Sequence, residues 1–462
     1  MLKILFRYVN FSTSNQFFRG HRTWQKVIMK DELMPPSRFD PVITKLDNAL
    51  FHSLFTSELN TLAQLFKKRN YELRIAGGAV RDILMGIKPK DLDFATDATP
   101  QEMKSMFIEE DIRLINTNGE KHGTITPRIN DKESFEVTTL RIDTATDGRH
   151  AKVEFTKDWK LDALRRDLTI NSMFLDLEGR IYDYFFGYDD LQNRKVVFVG
   201  NASLRIREDY LRILRYFRFY GRIAEHPDSH DEKTITAIKE NIQGLQNISG
   251  ERIWSEWSKI LSGNFVKEIT LKMLECGIAR YVGLPENLNV KHFEILCEAS
   301  KKNNISFHPV SFLGVMLSNS DEVLQLHNRL KFSAYDRDLA YFLIRSWNEN
   351  PPIDALKFYK KMLVHWKGSI NVAKNYVCEL LKCKQQFSLA EEVEKTVIPR
   401  FPVSGNSLKE HVKTARMMGI VIKELKDIWL DKDFKLTAEE LLQEVPRIVS
   451  ELEDKYCYQK GR

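Results

Sequence analysis

The sequence predicts an α+β protein whose N-terminal part is a small mixed β-sheet with helices and whose C-terminal half is all helical. Three observations predict it. Up to about residue 186, short β-rich segments alternate with short helical ones. From about Ala202 onward the apolar pattern is almost wholly helical. At 462 residues the chain is long enough for about three domains of ~150 residues each.

The elements follow in order. "YELRIA" (Tyr71–Ala76) has strand character, and "AVRDILMG" is a short helix closed by Gly86. "DLDFAT" (Asp91–Thr96) is a second strand, followed by a Thr99-Pro100 helix start with Glu102 in its first turn. "SFEVTTLRI" (Ser134–Ile142) alternates with β-rich residues. "LTINSMFLDL", Glu178-Gly179 and "RIYDYFF" form a hairpin pattern. "LRIREDYLRILRYFRFYGRI" is predicted as one long amphipathic helix ending near Gly221, and "GERIWSEWSKILSG" (Gly250–Gly263) as another. Breaks are expected at "NENPPID" (Asn348–Asp354) and "IPRFPVSGNS" (Ile398–Ser407), both rich in Pro, Gly and Asn. There is no short tandem repeat.

Composition excludes several classes. No apolar run approaches the ~18–20 residues of a membrane span, so no membrane partner is expected. Five cysteines show no CxxC and no His-paired spacing, which argues for reduced thiols and against a zinc site or a disulfide frame. The net charge of +6 is uninformative about partners. Lys3, Arg7, Arg19, Arg22, Lys26 and Lys30 supply all of it, because residues 1–30 contain no acid. A phosphate-binding surface must therefore come from local clustering. The same basic, Ser/Thr-containing stretch, with Leu2, Leu5, Phe6 and Val9 on one helical face, has the composition of a mitochondrial transit peptide.

The segment "GGAVRDILMGIKPKDLDF" (Gly77–Phe94) carries the chemistry. In a strand, residues two apart share a face, so Asp91 and Asp93 project together with Cα atoms ~6.5–7 Å apart. Two carboxylates on one face suit Mg²⁺, whose octahedron phosphate oxygens and water complete. A DxD pattern alone often marks only a solvated strand face. Here it follows Gly77-Gly78, where the missing Cβ lets a phosphate approach backbone N–H groups, and Arg81, which can add charge-assisted bonds. Glu136 is the best third carboxylate by residue type and strand context. His122 in "EKHGTI" has no second ligand at metal spacing and is expected to be a loop or RNA contact.

These residues resemble the nucleotidyltransferases of the DNA polymerase β superfamily, and more closely the class II CCA-adding enzymes. "RIAGGAVRDILMGIKPKDLDFATDATP" resembles that family's metal and triphosphate motif. "RRDLTINSM" (Arg165–Met173) resembles its ribose-contacting motif, "EDYLRILRYFRFYGRI" its base-templating helix and "GERIWSE" the following helix start. "TTLRIDTATDGRHAKVEF" matches its flexible linker. The resemblance implies Asp91 and Asp93 as metal ligands for Mg²⁺. It implies Gly77, Gly78 and Arg81 at the incoming nucleotide, Arg166 at its sugar or phosphates, and Asp209, Arg212, Arg215 and Arg218 on the templating helix. The catalytic set expected is then Asp91, Asp93 and Glu136. Phe186 stands where relatives often carry a polar residue, and the tail diverges.

The implied activity is template-independent addition of C, C and A to the 3′ end of tRNA from CTP and ATP. The partner is the tRNA acceptor arm and 3′ end; the sequence sets no oligomeric state. The implied domains are a transit peptide (1–29), a catalytic head (30–186), a nucleotide-templating neck (187–265), a helical body (266–350) and a helical tail (351–462) that binds tRNA. The residues themselves suit this reading. Asp209 and Arg212, at i and i+3, would be neighbours on one helix face. A carboxylate accepts the exocyclic amine of cytosine or adenine while a guanidinium serves the ring nitrogen, and guanine and uracil present the opposite pattern. Each matched pair is worth ~1–3 kcal/mol against the wrong base. A poly(A) polymerase of the same superfamily, or a non-catalytic RNA-binding module on a decayed transferase, are the alternatives, and the intact DxD, GGxxRD and EDxxR patterns argue against the second.

Met29 offers an internal start that omits the basic stretch, so the chain is expected in mitochondria and, from Met29, in the cytosol and nucleus. A tagged product initiated at Met29 should be absent from mitochondria on fractionation; finding it there would overturn the internal-start reading.

Overall fold

The computed structural model describes residues 34–115, 117–146, 151–349, 351–412 and 414–460. The transit-peptide expectation, the centre of the "RIDTATDGRH" linker and the far C-terminus lie outside them. Two compact units emerge, described separately below. The first holds residues 1–216 with 223–225 and 230–241, and the second holds 217–222, 226–229 and 242–462. No helix among the described residues is long and apolar enough to cross a membrane.

The first unit is built on one mixed sheet. Its strands are β1 (Val42–Lys45), β2 (Leu73–Ala76), β3 (Asp93–Thr96), β4 (Arg113–Ile115), β5 (Thr124–Ile129), β6 (Glu133–Ser134), β7 (Glu136–Thr139), β10 (Phe174–Asp176) and β11 (Arg180–Tyr182). Strands β8 (Arg141–Thr146) and β9 (Ala151–Phe155) form a separate two-stranded ribbon. The order in the main sheet is β1-β11-β10-β2-β3-β7-β5-β4, with β6 on β5. Every pairing is antiparallel except β3 with β7, which is parallel. That exception decides the site geometry.

The sequence expectations for the sheet hold in part: the strand expected over Asp91–Thr96 begins only at Asp93, leaving Asp91 in a bend and not on a shared strand face, and the one expected over Ser134–Ile142 divides among β6, β7 and β8. All four residues of β2 are buried, as a central strand requires. Phe94, one step from Asp93, is buried and meets the Phe135 ring edge-on at 5.8 Å. One face of the sheet buries Ala76, Ala95 and Phe174 against Trp159, Ala163 and Leu164 of α5 (Trp159–Leu164). The earlier helices are α1 (Ala49–His52), α2 (Ser57–Lys68), α3 (Gly78–Leu84) and α4 (Pro100–Glu109). Thr99 and Glu102 form a reciprocal capping box at the start of α4, as their spacing predicts.

One expected element divides in two. Residues 204–223 form α7 (Ala202–Glu208) and α8 (Arg212–Ile223), separated at Asp209, which is extended at φ −150° and ψ 106°. The carboxylate of Asp209 accepts the Leu211 N–H at 3.1 Å, and its carbonyl accepts the Arg212 N–H at 3.0 Å. An aspartate that satisfies the free N–H groups of a following turn competes with helix continuation. Asp209 therefore precedes the first turn of α8 instead of sharing a helix face with Arg212.

Among its described residues, the second unit has helices as its only regular elements. Gly250–Leu261 forms a helix as expected, and the two predicted breaks fall between Ala334–Ser346 and Ala355–Val364 and between Phe387–Lys395 and Ala415–Asp431. Trp429, Leu425, Val421, Leu441 and Val445 centre a core near the C-terminus. Cys276, Cys297, Cys378 and Cys383 are buried.

One close approach fixes the segment that carries "RRDLTIN". A Cβ on Gly187, at the start of α6 (Gly187–Gln192), would lie 2.1 Å from the carbonyl oxygen of Thr169 and 2.6 Å from its carbonyl carbon. Both are backbone atoms and neither can step aside. Gly187→Ala should therefore cost about 3 kcal/mol through overpacking, read as a lowered midpoint in thermal or urea unfolding.

Candidate active site

The parallel register of β3 and β7 sets Asp93 directly beside Glu136. Neighbouring strands lie ~4.8 Å apart, so the two side chains stand side by side on one sheet face. Asp91 lies in the bend two residues before β3 and is exposed. These three carboxylates and Arg166 share one electrostatic environment. Crowding by the surrounding protein pushes the Asp93 carboxyl up, although its edge opens to solvent; Glu136 and then Asp91 push it further, and Arg166 opposes them.

A carboxylate raised by two like-charged neighbours is a place where a cation is welcome. Among the described residues, no three or more His, Cys, Asp or Glu side chains gather into a closed metal cage. Asp91 and Asp93 instead offer hard oxygen donors at the exposed leading end of an interior strand. That fits a Mg²⁺-like ion, which takes one or two carboxylates and fills its shell from water and phosphate.

The Gly-Gly turn lies between β2 and α3. Gly77 has φ +68°, and a Cβ there would sit 2.8 Å from Nη1 of Arg166. Glycine is thus required by the backbone conformation, with the end of Arg166 packed over it. At Gly78 an added Cβ would meet nothing nearer than Arg81 Nη2 at 3.6 Å, an ordinary contact. Protein packing does not explain the second glycine, whereas close approach of a ligand would.

Arg81 is placed differently from the expectation of direct nucleotide contact. It is 3% exposed, and its Nε and Nη2 donate to Asp82 Oδ1 at 3.0 and 2.8 Å. Its Nη1 donates to Asn171 Oδ1. The guanidinium braces the turn from within because a buried cation must find acceptors inside the protein.

Two buried aspartates organise the arginines. Asp162, 1% exposed, accepts Arg165 Nε at 2.7 Å, Arg166 Nη2 at 3.0 Å and the Arg141 N–H at 3.2 Å. Burial pushes its pKa up, yet Arg165 and Arg166 overcome this and hold it below the ordinary value. Asp167 accepts the Leu168 N–H at 2.8 Å and Arg215 Nε at 2.6 Å. Burial again acts upward, and Arg215 brings the carboxyl down to about 2. Neither aspartate was singled out by the sequence, although the D-x-x-R-R-D spacing in "DALRRD" was the available signal.

Arg212, at the first turn of α8, donates to Glu208 Oε2 at 2.5 Å, to the Arg205 carbonyl at 3.0 Å and to the Arg165 carbonyl at 2.8 Å. Arg205 is buried, pairs with Glu208 at 2.6 Å, and is pushed down to about 10 by that burial. Arg141 is likewise brought to about 10, by burial and then by Arg165. The linked set contains Arg141, Arg165, Arg166, Arg205, Arg212 and Arg215 against Asp143, Asp162, Asp167 and Glu208. Six guanidinium groups face four carboxylates, an excess of two positive charges suited to an anion. Arg218, further along α8, belongs to the second unit and pairs there with Glu256 at 2.7 Å. The backbone carbonyl of His122 accepts Nη1 of Arg141.

A mixed sheet with paired carboxylates at the lead of one strand, a Gly-Gly turn beside them and an arginine-rich flank defines a nucleotidyltransferase head. Residues 73–197 match the family described as the poly A polymerase head domain, and residues 230–287 match the probable RNA and SrmB-binding site of polymerase A. The relatives narrow the class. The chain is 47% identical over 409 residues to the human mitochondrial CCA tRNA nucleotidyltransferase 1, covering 87% of this chain and 93% of that protein. The zebrafish (Danio rerio) protein of the same name is 48% identical over 397 residues, covering 85% and 91%. The chain belongs to the CCA tRNA nucleotidyltransferase family. Its fold is that of the CCA-adding enzyme of Bacillus stearothermophilus solved with CTP, at TM-score 0.66 and 21% identity over 90% of this chain and all of that one.

The Asp167–Arg215 pair gives a pH-dependent prediction. A carboxyl held at about 2 against 3.8 when unfolded contributes stability that is complete above pH ~4 and lost as pH falls through about 2. Arg215→Ala should lower unfolding free energy by about 3 kcal/mol at neutral pH, and the difference from the unaltered protein should shrink between pH ~4 and ~2. Denaturant unfolding across that range checks it.

Proposed function

We propose that this chain adds C, C and A to the 3′ end of tRNA, taking nucleotides from CTP and ATP and releasing diphosphate. The observation that carries the reading is the placement of Asp93 beside Glu136, with Asp91 just ahead, in a chain of this family. Its relatives bear the name of the activity, and a solved structural neighbour is described as a CCA-adding enzyme complexed with tRNA.

In this reading Asp91 and Asp93 hold Mg²⁺, and Glu136 stands as the third carboxylate. When bound, the ion would lower the pKa of the attacking 3′-hydroxyl and offset charge on the leaving diphosphate. Gly78 leaves room for a phosphate to approach the backbone. Arg166, packed on Gly77 and within reach of the field of Asp93, serves the sugar or phosphates, and Arg81 supports the turn.

Base choice falls to Asp209 and Arg212. Three of the five N–H donors of Arg212 are used by Glu208, Arg205 and Arg165. That leaves its Nε–H and one Nη2–H held in fixed directions for a base. With the Asp209 carboxylate, which precedes the helix and accepts the Leu211 N–H, supplying the acceptor, this fixed donor set would suit the amine-plus-ring-nitrogen edge shared by cytosine and adenine and oppose guanine and uracil. Arg215 steadies the same helix through Asp167. The helical residues 266–462 would hold the acceptor arm through phosphates and shape. The relatives' names place them in mitochondria; a further cytosolic and nuclear form would follow from a start at Met29.

The test is incorporation on a tRNA lacking its 3′ end, with each NTP alone and with CTP plus ATP. Full-length protein should add two C residues from CTP alone and complete CCA with both, whereas addition of A alone to general RNA ends would mark a poly(A) polymerase instead. Asp93→Ala should lower incorporation by more than about a hundredfold with folding unchanged, and retained activity would remove the metal role.

A further inference from the structure

Asn171 occupies a position that neither the metal motif nor the base-reading helix accounts for. It is 6% exposed and sits at the end of a 3₁₀ turn, Thr169–Asn171, closed by its own N–H on the Leu168 carbonyl at 2.9 Å. Its side-chain oxygen accepts from Nη1 of Arg81, and its side-chain nitrogen donates to Asp167 Oδ1 at 3.3 Å. Asp167 in turn accepts Arg215 Nε at 2.6 Å. The result is a buried hydrogen-bonded chain from Arg81 in α3, through Asn171 and Asp167, to Arg215 in α8. The backbone carbonyl of Asn171 also accepts Arg166 Nη1 at 3.4 Å and lies 3.5 Å from where a Cβ on Gly77 would be.

The chemistry of the link is specific to an amide. Arg81 only donates and Asp167, ionised, only accepts. The residue between them must accept on one side and donate on the other without bringing a charge, and a carboxamide does both in fixed directions. A carboxylate would set two negative groups together across the same gap, and an apolar side chain would leave two buried ionic groups each short of a partner.

Resting on the functional reading above, we propose that Asn171 is a positioning residue for nucleotide choice: it sets the base-reading end of α8 at a fixed distance from the Gly77-Gly78 turn, where the triphosphate lies. It touches neither base nor phosphate. A nucleotide anchored at the turn by its phosphates offers its base edge to Arg212 at one depth only if the two anchors are rigidly joined. With the link cut, the wrong base can be met by small shifts of the helix start.

The test measures kcat/KM for CTP and for UTP on a tRNA lacking its 3′ end, using full-length protein. Unaltered protein that fails to add CCA would sink the functional reading and say nothing against the link. Given that activity, Asn171→Ala should lower the CTP-to-UTP ratio of kcat/KM about tenfold, while kcat with CTP changes less than about threefold. A loss shared equally by CTP and UTP would make Asn171 a fold support only and overturn the proposal, as would an unchanged ratio. Should N171A fail to fold by thermal melting, Asn171→Asp is compared with the double variant N171D/D167N, which reverses acceptor and donor across the same gap. The double variant should recover part of the discrimination that N171D loses; a ratio no higher than that of N171D would overturn the proposal.

Discussion

Asp162 and Asp167, two carboxylates withdrawn from water, are what the candidate site is hung on. Six arginines in the first unit would repel one another if brought together without them. Asp162 gathers Arg165 and Arg166 at the end of α5, and Asp167 ties the following turn to Arg215 in α8. Burying these carboxylates is costly, and only the guanidinium partners on each make the burial tolerable. Their function is therefore geometric. They fix Arg166 against Gly77 and fix α8 against the segment that carries Asn171.

The opposite charge problem sits a few residues away. A single parallel strand pairing brings Asp93 beside Glu136, Asp91 stands in the bend just ahead, and these two neighbours disfavour the ionised form of Asp93. Arg166 is the cation that offsets them within the protein, and it is itself shared with Asp162. One arginine thus connects a carboxylate cluster in need of positive charge with an arginine cluster in need of negative charge. Under the function proposed above, a metal-bound nucleoside triphosphate would supply both at once, the cation toward the carboxylates and the phosphates toward the arginines. This complementarity is a stronger statement than either motif alone, because each half is electrostatically incomplete without the other.

Much of this was legible in the sequence, for physical reasons. Strand parity of period two exposes Asp93 and buries Phe94, and the Gly-Gly turn between strand and helix has few other uses. Glu136 was legible only by type: its place beside Asp93 depends on a pairing between segments forty residues apart, which no local pattern encodes. The inward course of Arg81 was invisible because its acceptor, Asn171, lies ninety residues away. The break at Asp209 was hidden because the apolar period runs through it unchanged, while a local capping bond decides the backbone. Asp162 was overlooked since an acid three or four residues before arginines reads equally as a solvated helix face.

The arginines of α8 show where periodicity stops carrying information. Arg212, Arg215 and Arg218 recur every third residue and look equivalent along the chain. In the structure each has a different master. Arg212 is held by Glu208 and two carbonyls with donors to spare, Arg215 is paired with a buried aspartate, and Arg218 serves the second unit through Glu256. A shared helix face therefore does not imply a shared role. Arg212 is the member of the series whose guanidinium is fixed from three sides, by Glu208 and by the carbonyls of Arg205 and Arg165.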